Sequence, residues 1–226
     1  MLFLAVGKCI ASRVWVIEKL YVWPATSVVD IPVVTKLLQG WVHSNGAIPR
    51  DVSRDGQSLA FDLNSPETDV DILLLRLGEQ RPPRPFWPGR KAERLPAFSP
   101  DSRWIAYQSN ESGAVEVYVR PADGSSGRWK ISSDGGTEPR WAGREIFYRD
   151  GTQMVAVTVT TDTPFTVGKR EFLFDDPSYR LSTIGANYDV ARDGRLLMIK
   201  EKGSEAASSF LQVMTNVSAA LTKAPR

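Results

Sequence analysis

The chain has 226 residues, 42% of them apolar and 24% charged, which suits one large globular domain or two small ones. Its 28 basic and 26 acidic residues leave a net charge of +2, without the basic footprint of a nucleic-acid binder. The single cysteine, Cys9, excludes an intrachain disulfide and a cysteine-based zinc centre, and the single histidine, His43, excludes a histidine-rich metal site.

The first nine residues carry an apolar run, but it is short, has no basic start and is broken by Lys8 beside Cys9. That pattern does not read as a reliable signal peptide. No stretch approaches the length of a transmembrane helix. Val14-Trp-Val-Ile-Glu-Lys-Leu-Tyr-Val-Trp23 and Val28-Val-Asp-Ile-Pro-Val-Val34 are strand-like, yet residues 1–46 hold no complete copy of the repeat that follows. We therefore divide the chain into an atypical N-terminal segment, 1–46, and a repeat region, 47–226. An N-terminal strand that completes the last repeat is the expectation for the first part.

The repeat is visible in four copies. Asp51-Val-Ser-Arg-Asp-Gly-Gln-Ser-Leu-Ala-Phe61 is followed by Ala97-Phe-Ser-Pro-Asp-Ser-Arg-Trp-Ile-Ala-Tyr107. A third copy, Arg140-Trp-Ala-Gly-Arg-Glu-Ile-Phe-Tyr148, is shortened at its turn, and the fourth is Asp189-Val-Ala-Arg-Asp-Gly-Arg-Leu-Leu-Met-Ile199. Val52, Phe98, Trp141 and Val190 are equivalent, with spacings of 46, 43 and 49 residues. That is the period of a four-stranded propeller blade. Each copy ends one strand on an apolar residue, turns through Asp-Gly or Asp-Ser, and starts a second strand. A third strand with period-two alternation follows, at 71–76, 115–120, 154–159 and 210–214. The Pro-rich stretch 81–85 joins two copies and cannot be a central strand. Residues 217–223 read as a short terminal helix. The expected fold is all-β: a propeller of about four blades, partial or closed as a small ring.

With these motifs, residues 47–217 resemble the C-terminal part of bacterial TolB-like, WD40-like (PD40-repeat) propellers. The best match runs from Ala97 to Gly113, then through Glu116-Val-Tyr-Val-Arg-Pro121, Lys130-Ile-Ser-Ser-Asp-Gly-Gly136, Glu138-Pro-Arg-Trp141 and Tyr188-Asp-Val-Ala-Arg-Asp-Gly194. Two copies depart from the pattern: Ser102 stands for the turn glycine, and Ala142-Gly143 replaces a whole turn. The resemblance implies a binding module for a protein, peptide or small ligand, in an extracytoplasmic setting. Four blades leave strand edges to satisfy, by tight closure, by pairing with a second copy, or as the end of a longer ring.

The recurring Asp55, Asp101 and Asp193 read as turn scaffold, because repetition in every blade suits structure better than chemistry. A better candidate set lies just before the equivalent apolar position, on strands expected to line the channel. Asp51, Arg140 and Asp189 stand one step before it, and Glu138 and Asn187 three steps before it. Asp51, Glu138, Asn187 and Asp189 are oxygen donors of the kind calcium takes. A calcium ion at the channel mouth would polarise an ester or lactone carbonyl. The competing expectation is an ordinary polar channel. Glu67, Asp69 and Asp71 form an acidic cluster that reads as a solvated edge, without the spacing of an EF-hand. No G-x-S-x-G elbow, P-loop, dinucleotide fingerprint or kinase signature occurs; Gly124-Ser-Ser-Gly127 reads as a hairpin turn. Trp87 and Trp129 lie in less regular segments, as packing residues or as a sugar- or peptide-binding surface. Two functions follow: a non-catalytic binding module, or a calcium-dependent hydrolase of lactones, esters or glycosides.

Overall fold

The computed structural model describes the backbone of residues 3–11 and 14–22, and residues 47–79, 81–89, 91–178, 185–191 and 194–199 in full. Strands β1 (Phe3–Ala11) and β2 (Val14–Val22) pair with each other as an antiparallel hairpin. The second of these covers the first strand-like stretch of the N-terminal segment. The other stretch, 28–34, lies outside the described residues, as do Asp193, the third strand expected at 210–214 and the terminal helix expected at 217–223.

From residue 48 the chain lays down antiparallel meanders, each strand beside the one before it. The first sheet holds β3 (Ile48–Val52), β4 (Ser58–Ser65), β5 (Asp69–Arg76) and β6 (Arg84–Pro85). The second holds β7 (Glu93–Phe98), β8 (Trp104–Ser109), β9 (Glu116–Pro121) and β10 (Trp129–Lys130). The third holds β11 (Thr137–Ala142), β12 (Glu145–Asp150), β13 (Gln153–Thr160) and β14 (Thr166–Asp175). Of a fourth sheet, β15 (Tyr188–Val190) and β16 (Leu196–Met198) are described. These are the blades expected from the repeat, three with four strands and one with two described. The Pro-rich stretch contributes only β6, an outer edge strand where a missing N–H costs nothing. Outer strands β6 and β10 are two residues long. β14 runs for ten, is exposed almost throughout, and has its ladder to β13 interrupted twice.

Period-two alternation divides each blade between two seams. On β8, Ile105 and Tyr107 face the first blade, where they meet Ala60, Ile72, Leu74 and Phe86. Trp104 and Ala106 face the third blade, where they meet Trp141, Ile146, Tyr148 and Val155. Phe147, Met154 and Ala156 then meet Tyr188 and Val190 of the fourth. Each fully buried side chain of this size contributes roughly 1.5–3 kcal/mol by leaving water. Trp87 and Trp129 belong to this packing: Trp87 lies against the first seam and Trp129 against the second, 5.3 Å from Trp104.

The turn between the first two strands of a blade is built the same way twice. Ser53 Oγ donates to Asp55 Oδ1 at 2.5 Å, and the Asp accepts from the Gln57 N–H at 3.0 Å. In the next copy Ser99 Oγ donates to Asp101 Oδ1 at 2.6 Å, and the Asp accepts from the Arg103 N–H at 3.1 Å. Asp55 and Asp101 are thus turn scaffold. The positive-φ place held by Gly56 (φ 71°) is taken in the second blade by Ser102 (φ 61°), so the departure in sequence keeps the turn and strains one residue.

Candidate functional site

The inner strands of all four blades converge on one cleft of about 320 Å³. That lies at the small end of the range for ligand pockets. Arg50 and Asp51 enter from β3, Ala97 and Phe98 from β7, Arg140 and Trp141 from β11, and residues 186–189 from β15 and the segment before it, with Leu197 and Ile199 beside them. The cleft therefore has an apolar and aromatic floor with a few polar groups above it. Four of the five candidates, Asp51, Arg140, Asn187 and Asp189, line it.

Asp51 and Asp189 are posed alike. Each carboxylate accepts from the next residue's backbone: Val52 N–H to Asp51 Oδ1 and Val190 N–H to Asp189 Oδ1, both at 2.9 Å. Asp51 also reaches across to the second blade, where its Oδ2 accepts from the Phe98 N–H at 2.7 Å. Burial pushes the Asp51 carboxyl up to about 6, against the downward pull of the Phe98 N–H and the nearby Arg140 guanidinium. Arg140 donates to the Pro139 carbonyl at 3.2 Å, and among the described residues no carboxylate lies within ion-pair distance of it.

The fifth candidate, Glu138, is only 1% exposed and does not line the cleft. Its role follows from a bulge in the first strand of each of the first three blades. The ladders skip between Pro49 and Asp51, Arg94 and Ala97, and Thr137 and Arg140. Leu95 (φ 54°) and Glu138 (φ 57°) occupy these bulges in the left-handed region. Each points its N–H at the blade before. Leu95 N–H donates to the Asp62 carboxylate at 3.2 Å, and Glu138 N–H to Gln108 Oε1 at 3.0 Å. The equivalent of Asp62 and Gln108 in the third blade is Arg149, which cannot accept. There Glu138 takes over, and its Oε2 accepts from the Asn187 N–H at 3.1 Å. Its carbonyl also accepts from Tyr188 Oη at 2.6 Å. Glu138 is the tie between the third and fourth blades.

Calcium takes six to eight oxygens. Among the described residues no group of three Asp, Glu, His or Cys is placed to hold a metal ion. The Asp51, Glu138 and Asp189 carboxylates already accept backbone N–H groups, and a guanidinium shares the cleft. Asp69 and Asp71 of the acidic cluster are engaged locally: Asp69 pairs with Arg94 at 2.6 Å and Asp71 accepts from Thr68 Oγ1 at 2.6 Å. Phe98 and Tyr188 were missed as cleft residues, although Phe98 is the repeat's own reference position and Tyr188 lies beside a candidate.

Sequential four-stranded meanders packed face to face around a shared cleft define a β-propeller fold. At the level of sequence, no family model and no curated protein matches the chain. Among solved structures, one described as TolB from Agrobacterium tumefaciens is similar, with a TM-score of 0.51 and 19% identity over 67% of this chain and 57% of that one. TolB from Acinetobacter baumannii gives a TM-score of 0.51 and 17% identity over 71% of this chain and 39% of that one. The fold is TolB-like, and the aligned part spans little more than half of the first of these structures. Among the described residues no helix is long and apolar enough to cross a membrane.

Proposed function

We propose that the protein is a non-catalytic propeller module that binds a peptide or small ligand in the cleft between its inner strands. The observation that carries this is that Arg140, which among the described residues has no carboxylate within ion-pair distance, lines one cleft with Asp51 and Asp189 and with the aromatic side chains Phe98, Trp141 and Tyr188. Charges of both signs held at fixed separation suit a ligand that itself carries both, such as a short peptide segment. An apolar floor supplies affinity and the polar rim supplies orientation. An extracytoplasmic setting goes with this proposal by likeness to bacterial TolB structures. The calcium-dependent hydrolase has less behind it, because both oxygens of Asp51 and one each of Glu138 and Asp189 accept backbone N–H groups and, among the described residues, no three Asp, Glu, His or Cys side chains are grouped to hold a metal ion.

A panel of short peptides and small zwitterions, screened by thermal shift, tests the proposal. Binding raises the midpoint by mass action. At least one class of peptide should do so with wild type and not with Arg140→Ala. A panel that shifts neither protein, or both equally, removes the cleft as the binding site.

A further inference from the structure

We propose that Glu93 is a proton-operated latch between the first and second blades, closed while its carboxyl is neutral and opened by ionisation. Glu93 opens β7 and is 4% exposed, yet its Oε2 has no hydrogen-bond partner. Buried carboxylates left unpaired are costly, and a native fold that keeps one invites a reason. A second buried and unpaired carboxylate oxygen, Oε1 of Glu111, comes from the turn between β8 and β9. Four charged or titratable groups face Glu93: Arg120 from β9, Glu111 from that turn, Asp71 from β5 and, through its hydroxyl's electrostatic contact, Tyr107 from β8. The segment at Gly89 lies over it, so that a Cβ there would stand 3.5 Å from Glu93 Oε1.

Among the described residues, the cation that acts on Glu93 is already engaged elsewhere. Arg120 Nε donates to Tyr107 Oη at 2.7 Å, its guanidinium lies 3.8 Å from the centre of the Trp87 ring, and its Nη2 is 3.8 Å from Glu111 Oε2. Glu111 is held in turn by Arg128 at 2.6 Å. Glu93 therefore stays neutral while the seam is shut: burial, with two carboxylates nearby, raises its carboxyl to about 8 despite Arg120. Ionisation requires water, or Arg120 withdrawn from Trp87. Either loosens the start of β7. The same strand carries the Leu95 N–H bound to Asp62 and the Phe98 N–H bound to Asp51 in the cleft. Proton loss at the seam is thereby transmitted to the cleft floor.

The sign follows from linkage. The folded state holds a proton that the unfolded chain has released, so stability falls as pH rises through the folded-state value and is fully present below the unfolded one. Melting midpoints and hydrogen exchange at the Leu95 and Phe98 amides, from about pH 6 to about pH 9.5, test this. Wild type should lose several degrees and exchange those amides faster at the alkaline end than the general pH effect on exchange accounts for. Glu93→Gln, which mimics the neutral carboxyl, should keep only the small decline near pH 6 that Asp51 contributes and be flat above about pH 7. Glu111→Gln removes a repelling charge and should move the wild-type transition to lower pH. A wild-type profile that is flat, a Glu93→Gln profile that retains the wild-type slope, or a Glu111→Gln transition that stays in place or rises would each overturn the latch.

Discussion

Asp51 and Phe98 stand 47 residues apart and are joined by a 2.7 Å hydrogen bond that ties the first blade to the second at the floor of the cleft. The same carboxylate also satisfies the Val52 N–H. Removing it in Asp51→Ala leaves two backbone donors without their acceptor, which costs about 1–3 kcal/mol. Burial pushes the carboxyl up to about 6 in the fold, above its ordinary value of 3.8 in the unfolded chain. Its stabilising contribution is thus fully present below the unfolded value and declines as pH rises through 6. The penalty of Asp51→Ala should be larger near pH 4 than near pH 7. Denaturant titrations at the two pH values check it; an equal or reversed penalty would mean that burial does not control this carboxyl.

Ser102 holds a left-handed backbone, which costs a residue with a Cβ about 1–2 kcal/mol. Its Oγ accepts an exposed hydrogen bond from the Asp55 N–H at 3.2 Å, which offsets little of this. Ser102→Gly should raise stability by up to ~1 kcal/mol. Gly56→Ser, at the equivalent turn of the first blade, should lower it by a similar amount. Chemical denaturation of the two variants is the measurement.

Glu138→Ala should detach the fourth blade from the third, since the Asn187 N–H loses its acceptor. The expected cost is about 1–3 kcal/mol. Glu138→Gln keeps an acceptor oxygen and should lose less. Hydrogen exchange at the Asn187 and Val190 amides separates a local opening from global unfolding. Rapid exchange confined to these amides is the result expected of Glu138→Ala.

Chelation offers a direct check on the carboxylates of the cleft. With both oxygens of Asp51 and one of Asp189 accepting backbone N–H groups, EDTA followed by excess calcium should leave the melting midpoint of the wild type unchanged. A calcium-dependent rise that Asp51→Ala/Asp189→Ala abolishes would restore the metal site and call for lactone and ester substrates to be assayed.

The blade pattern was legible because it rests on local chemistry. Turn aspartates, alternation on β8 and β12, and the prolines at β6 each act within a few residues of themselves. The convergence of Asp51, Arg140, Asn187 and Asp189 on one cleft follows from repeat equivalence, since equivalent positions on inner strands face a shared axis. The place of Glu138 was not legible in this way. It depends on Arg149 occupying the position where Asp62 and Gln108 supply acceptors in the other blades, so that one substitution in a seam reassigns the job to a residue on the neighbouring strand. Glu93 escaped notice for a similar reason. Nothing in its own sequence neighbourhood shows that the nearby arginine is engaged elsewhere.

Strand β14 gives the third blade a rim unlike those of the first two, which end on two-residue strands. Ten residues of open backbone would ordinarily recruit a stranger's strand. Here the ladder skips at two places, with Arg170, Glu171 and Phe172 between them and Lys169 inside the second. An arriving strand meets a template that changes step after only a few residues, with a charged stretch at its centre. The long exposed border of the third blade is in effect a fence: it lets this protein carry an open sheet edge among crowded neighbours without being zipped into them.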